Sequence, residues 1–181
     1  MTVLETPRLR LRPFTEDDAS AHAVLYGDPE VTRFLPGGPF APDAVQARSA
    51  RSLARFSEHW ALHGWGVWAV VDKASDRLIG QCGLNHLPDR ADVELLYALA
   101  RSHWRRGLAA EAGAAALEHG FTSVGLDRIV AVTRPDHVAS RRVMERLGMA
   151  YEGELEAFGM LLVCYALGRA AWRSRRAEAT T

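Results

Sequence analysis

Tyr97-Ala-Leu-Ala-Arg-Ser-His-Trp-Arg-Arg-Gly-Leu-Ala-Ala-Glu-Ala112 joins an apolar strand to an alanine-rich helix through a basic turn. The first four N–H groups of a helix have no internal partner and the helix dipole puts partial positive charge there, so an anion docks readily at that end. Gly107 has no Cβ and Ala109 has one methyl, which keeps the approach open to backbone N–H groups of Arg105, Arg106, Gly107, Leu108, Ala109 and Ala110. Arg105 and Arg106 add charge-assisted donors. The stretch predicts a pyrophosphate cradle between a strand and the helix that follows it.

Just upstream, Val93 to Leu99 is a strand of apolar residues and one tyrosine interrupted by a single charge, Glu94. Period two puts Glu94 on the face shared by Leu96 and Ala98. Further back, Trp65 to Val71, the turn 72–77 and Leu78 to Leu84 read as a hairpin. Leu35 to Pro42, rich in proline and glycine, reads as a loop that can cover a site. Asp43 is expected to cap a long helix carrying Val45, Ser49, Ser52, Leu53, Phe56 and Trp60 at helical spacing, with Arg48, Arg51 and Arg55 as a solvated stripe. At the start, Arg8 to Pro13 alternates arginine and leucine as the first strand, and Thr15-Glu-Asp-Asp opens a helix running to Tyr26.

Downstream of the cradle, Ala110, Ala114, Leu117 and Phe121 are expected to form the apolar stripe of the helix. Arg128 to Thr133 reads as a strand covered on both faces. A second helix carries Ala139, Val143 and Leu147 on one face and stops at Gly148; strands near Tyr151 to Ala157 and Met160 to Leu167 follow, then a polar tail from Arg169. Strands first, then strand–helix–strand–helix–strand, predict a mixed α/β sheet with helices on both faces.

The 181 residues, 48% hydrophobic and 24% charged, suffice for one domain over 1–181, with a core from about 6 to 173. The 22 basic and 22 acidic residues cancel, which argues against nucleic-acid or anionic-membrane partners. Cys82 and Cys164 lie in apolar strands without ligand spacing, so buried free thiols and no metal are expected. No run reaches the ~18 apolar residues of a membrane span, and the first residues lack signal-peptide character, so a cytoplasmic location is expected. Five tryptophans and an apolar final strand allow a homodimer.

Thr6 to Pro13, Leu78 to Leu84, Val93 to Leu99, Trp104-Arg-Arg-Gly-Leu-Ala-Ala-Glu-Ala112 and Ala139 to Met149 together, in this order, resemble the GNAT N-acetyltransferases, and within them the branch of the ribosomal-protein N-terminal acetyltransferases. The resemblance implies a mostly antiparallel, twisted GNAT-like sheet with a V-shaped splay between central strands. It implies acetyl-CoA with its pyrophosphate on residues 105–110 and its pantetheine arm paired to the backbone of Tyr97, Ala98 and Leu99. The chain departs from the family pattern at Trp104 and Arg105 in the phosphate loop. His137 stands where an asparagine usually touches the pantetheine arm, and Met144 stands where a tyrosine often acts as general acid.

By this resemblance Glu94 is the candidate base acting through water; alternation puts Glu152, Glu154 and Glu156 on one face near the expected substrate side, as competing carboxylates or, more plainly, as the wet face of an edge strand. Ser140, one turn after His137, is the candidate partner of the leaving sulfur. A first-turn serine bonded to its own backbone is the plainer expectation for it. The implied reaction moves an acetyl group to a protein N-terminal or small-molecule primary amine by direct attack. The alternative is a non-catalytic acyl-CoA-binding sensor, which the missing tyrosine leaves open.

Overall fold

The structure, a computed structural model, describes residues 2–88 and 90–179. The short strand β1 (Leu4–Glu5) pairs antiparallel with β2 (Leu9–Arg12), where leucine alternation buries Leu9 and Leu11 completely. On the other face of β2, Arg12 forms a two-pronged ion pair with Asp18, at 2.7 and 2.8 Å. The chain then forms α1 (Ala19–Gly27), a single turn α2 (Pro29–Thr32), and α3 (Val45–His63). The turn α2 had no signal in the apolar pattern; Asp28 caps it by accepting from the Glu30 N–H at 2.9 Å. Asp43 does not cap α3, because it lies inside the short 3-10 turn 42–44, and the long helix starts behind Ala44 without a side-chain cap.

Strands β3 (Val67–Asp72), β4 (Arg77–His86) and β5 (Val93–Leu99) run antiparallel to one another. Beyond them come α4 (Leu108–His119), β6 (Arg128–Thr133), α5 (Val138–Arg146), β7 (Ala150–Ala157), β8 (Met160–Gly168) and α6 (Arg169–Ala179). The sheet has eight strands in the order β1-β2-β3-β4-β5-β6-β8-β7, and among its pairings only β5 with β6 is parallel. Helices cover both faces. α1 and α3 reach Gln81 on one side through His22 and Ser49, and α4 lies on the other, where a Cβ added at Gly113 would meet Leu95 of β5.

Three further elements differ from the sequence reading. On α4 the buried face is Leu108, Ala112, Ala116 and Leu117, and Ala114 is exposed; in a run of alanines nothing in the hydropathy fixes the helix phase. On α5 the buried residues are Ser140 and Met144 rather than Ala139 and Val143, because a polar residue with a partner took an inward position. The expected polar tail is α6. Its Trp172 ring packs 5.2 Å from Phe121, and Arg176 pairs with Glu118 at 2.7 Å, so it folds back on α4 and the turn behind it. No described helix is long and apolar enough to cross a membrane.

Candidate active site

The regular β4–β5 register and the bond from the Ala100 N–H to the Ile79 carbonyl at 2.7 Å fix which way each backbone group of β5 points. In an antiparallel ladder bonded pairs alternate, so Ala98, Leu96 and Glu94 exchange bonds with Gln81, Gly83 and Asn85. Tyr97 and Leu99 therefore turn their main-chain groups away from β4, towards β6. Pairing between β5 and β6 is confined to Glu94 opposite Val130, near the start of both parallel strands. The expected set of pantetheine contacts is thereby narrowed, since the backbone of Ala98 is engaged within the sheet. The Leu99 carbonyl also has a partner: the Trp104 indole N–H donates to it at 2.7 Å, which gives the departure at Trp104 a local role in closing the turn.

The turn that follows presents its N–H groups as the sequence suggests. Arg105 has φ 59° and Gly107 φ 77°, both in the left-handed region; for Arg105 that conformation costs about 1 kcal/mol or more. Gly107 precedes α4 without a side-chain cap, so the first amides of the helix remain open to an anion, while Leu108 anchors the turn in the core. Two cations that sequence reasoning missed converge here. A Cβ on Gly107 would lie 3.6 Å from Arg8 Nη2 and 3.9 Å from Arg146 Nη1. Arg8 also donates to the Arg106 carbonyl at 2.9 Å. Glu111 holds Arg8 in place, accepting from its Nε at 2.7 Å, from its backbone N–H at 2.9 Å and from Thr6 Oγ1 at 2.6 Å. Burial pushes the Glu111 carboxyl up, but these bonds outweigh it and hold it below the usual carboxylate range.

Glu94 is 6% exposed and, among the described residues, its carboxyl has no hydrogen-bond partner. Burial raises its pKa to about 8, against the pull of Arg55 on α3. Arg55 is exposed, as expected of the solvated stripe, and acts on Glu94 only through its charge. The surrounding face is polar but satisfied. The His22 ring lies between Ser49 Oγ at 2.7 Å and Gln81 Oε1 at 2.9 Å, and Tyr26 donates to Ser52 Oγ at 3.0 Å.

On the opposite face of β5, Tyr97 meets Ser140. The Tyr97 hydroxyl donates to the Ser140 carbonyl at 3.1 Å, and the two hydroxyl oxygens are 2.9 Å apart. A carbonyl can only accept, so with the Tyr97 proton there, Ser140 Oγ–H donates to the tyrosine oxygen. The serine is thus bonded across to the strand, not to its own helix. Burial pushes the Tyr97 pKa further up, and the group stays protonated at any working pH. Met144, one turn on, is 1% exposed and belongs to the core.

His137 precedes α5, with Nδ1 3.0 Å from Thr133 Oγ1 and its ring stacked on Phe34 at 3.7 Å and 4°. Burial pulls its pKa down to about 4 despite Asp136, so the ring is neutral and one nitrogen remains for a ligand. Phe34, in the segment after α2, had no sequence signal; it brings the α1–α2 side of the molecule to the end of β6. Next to it, Arg134, Pro135, Asp136, Met160 and Leu161 line an open depression of about 350 Å³.

The competing carboxylates lie elsewhere. Glu152 sits at a bulge between Tyr151 and Gly153 and binds Arg128 through both oxygens at 2.8 and 2.7 Å, which lowers its pKa. Glu154 and Glu156 are exposed on the edge strand β7, the expected wet face of an edge.

Residues 8–150 match the family described as Acetyltransferase (GNAT) domain. An uncharacterized N-acetyltransferase p20 of Bacillus licheniformis is 32% identical over 160 residues, covering 87% of this chain and 88% of that protein. An acetyltransferase of Agrobacterium tumefaciens has the same fold with TM-score 0.78 and 28% identity, over 92% of this chain and 94% of that one. A ribosomal-protein-S5-alanine acetyltransferase of Vibrio fischeri superposes with TM-score 0.72 at 20% identity, over 95% and 99% of the two chains, a likeness of fold. With a parallel seam in an otherwise antiparallel sheet, an uncapped helix behind a basic left-handed turn, and a match along 8–150, the chain belongs to the GNAT acetyltransferases.

Proposed function

We propose that the protein transfers the acetyl group of acetyl-CoA to a primary amine by direct attack, with Glu94 as base. The observation that carries this reading is the seam of the sheet: β5 and β6 pair only at Glu94 and Val130, so beyond it Tyr97 and Leu99 offer main-chain groups to an extended ligand arm. The turn 104–107 then supports the pyrophosphate, with Arg8, Arg105, Arg106 and Arg146 as its cations and amides up to Ala110 as donors. Such an arm places the thioester near Glu94, and His137 offers it one side-chain contact.

In the reaction the ammonium form of the acceptor gives a proton to the Glu94 carboxylate, directly or through water, and the neutral nitrogen attacks the thioester carbon. The C–S bond breaks, the extra proton left on the attacking nitrogen passes to the departing sulfur or to water, and the oxyanion formed on the way is held by N–H groups of β5. The leaving thiolate, with a pKa of about 8.5 as for a free thiol, departs readily; a Ser140 or Tyr97 hydroxyl proton, turned from its present acceptor, can hydrogen-bond it. A base of pKa about 8 matches an α-amino group, also about 8, whereas a lysine at about 10.4 would cost roughly 3 kcal/mol more to deprotonate. This supports an N-terminal or small, weakly basic amine as acceptor.

Calorimetric titration with acetyl-CoA tests the cofactor. The wild type and Gly107→Asn, whose residue tolerates the left-handed turn, are expected to bind, while Gly107→Glu loses binding. Normal binding by Gly107→Glu would move the cradle elsewhere. Thiol release from acetyl-CoA in the presence of N-terminal peptides and small amines, above hydrolysis, tests the transfer; binding without release would make the chain a sensor.

A further inference from the structure

The sequence reading expected no metal because it looked at cysteine spacing. Three imidazoles converge instead at the end of β4, one pair beyond Asn85 and Glu94 in the β4–β5 register. His59 and His63 lie four residues apart on the last turns of α3, and His86 is the final residue of β4. Their ring centroids are 4.4 Å apart for His59 and His63, 5.3 Å for His59 and His86, and 4.7 Å for His63 and His86, and Trp65 packs against all three. One nitrogen from each ring lies within 4.8 Å of the others. We propose that His59, His63 and His86 form a site for a divalent transition-metal ion of the zinc type, which ties the end of α3 to the end of β4.

The hydrogen bonding already orients the first ligand. His59 Nδ1 is 2.9 Å from the Trp65 carbonyl, and a carbonyl only accepts, so Nδ1 carries the proton and Nε2 carries the lone pair. A metal-bound histidine typically has this outer-shell bond from its second nitrogen to a carbonyl. His59 Nε2 lies 3.1 Å from His86 Nδ1, close to the ~3.3 Å edge expected for two nitrogens about 2.05 Å from one tetrahedral ion. Without metal, His86 Nδ1–H donates in that contact. On binding, its proton moves to Nε2, which leaves the ring neutral and gives Nδ1 to the ion. The third ring, His63, is exposed, with one nitrogen within 4.8 Å of those of the other two.

Three imidazoles with no carboxylate select zinc, nickel or copper over magnesium or calcium, which take oxygen ligands. A fourth position faces solvent at His63 and takes water. Three protein ligands and one open position are within the ordinary range for zinc.

The test uses tag-free, chelator-treated full-length protein titrated with zinc sulfate in a calorimeter. One ion per chain is expected, with Kd in the micromolar range or tighter. His63→Ala, which changes an exposed residue and leaves the fold alone, should weaken binding about 10- to 100-fold, and His86→Ala should do the same. With zinc at about a hundredfold excess over Kd, the wild type should gain roughly 5 to 11 °C in Tm and His63→Ala should gain far less. Cobalt in place of zinc should give the intense visible bands of a four-coordinate ion. Unchanged zinc affinity in His63→Ala, binding no tighter than millimolar, or a weakly coloured six-coordinate cobalt spectrum would each overturn the site.

Discussion

Two glutamates on successive elements of the fold, Glu94 on β5 and Glu111 on α4, have opposite surroundings. Glu111 accepts from Thr6, from the Arg8 backbone and from the Arg8 guanidinium, and its pKa is lowered. Glu94 is more deeply buried, accepts from none of the described residues, and its pKa is raised to about 8. The same side chain is a structural anchor in one place and a poised acid–base group in the other. What separates them is hydrogen-bond supply: a carboxylate with donors around it is stabilised in its charged form, and one stripped of water without donors is left near neutrality.

The sharpest break of this contrast is Glu94→Gln, which keeps shape and removes the proton acceptor. Turnover is expected to fall about 10²- to 10⁴-fold while acetyl-CoA affinity stays within about twofold. Steady-state kinetics beside calorimetry would show it; equal turnover in the two proteins would take Glu94 out of the mechanism. Glu111→Gln should act the other way round, loosening Arg8 and weakening acetyl-CoA binding severalfold with a small effect on turnover of the saturated enzyme.

The next test is pH, where the two groups differ in sign. The base must be ionised, so kcat/KM should rise about tenfold per pH unit below pH 8 and turn over above it as an α-amino acceptor loses its ammonium form, and Glu94→Gln should lack the rising limb. For stability, the folded pKa of Glu94 lies above the unfolded value of about 4.5, so the folded state holds the extra proton between about pH 4.5 and 8 and stability falls as pH rises through that window. Glu94→Gln removes this loss. It should match wild type near pH 4 and exceed it near pH 9 by up to about 5 kcal/mol in urea unfolding. Glu111, with its folded pKa lowered, contributes stability above about pH 4.5 that is lost as pH falls through its folded pKa. Its glutamine variant should be less stable by about 1 to 3 kcal/mol at neutral pH, since Thr6 and the Arg8 backbone lose their acceptor, and the gap should close in acid.

Much of this contrast was legible in the sequence. A lone charge inside Val93 to Leu99 marks Glu94 because an apolar strand excludes water, and Gly107 before an alanine-rich helix marks the turn. The role of Glu111 was not legible, because its partners are about a hundred residues away in Thr6 and Arg8, and only the folded sheet brings β2 beside α4. Arg146 and Phe34 were invisible for the same reason. The phases of α4 and α5 failed where the pattern had no contrast or where hydrogen bonding overruled it: alanine on every side of α4, and Ser140 turned inward by Tyr97 on α5. The spacing of His59 and His63 was readable as one helical face, but the third ring, His86, is supplied by a distant strand.

The smallest expected effect carries the comparison to the hydroxyls on the other face of β5. Ser140 is about as buried as Glu94 and Tyr97 is partly buried, yet each satisfies the other, so they should resemble Glu111 in holding structure more than driving the reaction. Their target, a thiolate of pKa about 8.5, leaves with little help. Tyr97→Phe and Ser140→Ala should therefore each lower turnover by only about 3- to 10-fold, and because they act through one hydrogen-bonded unit the double variant should lose no more than the worse single one. With a thioester whose thiol is more acidic, both deficits should shrink towards unity, since a better leaving group needs no donor. A hundredfold loss in either single variant that persists with that substrate would show that the pair positions the acetyl group instead, because a deficit independent of leaving-group pKa cannot come from stabilising the departing sulfur.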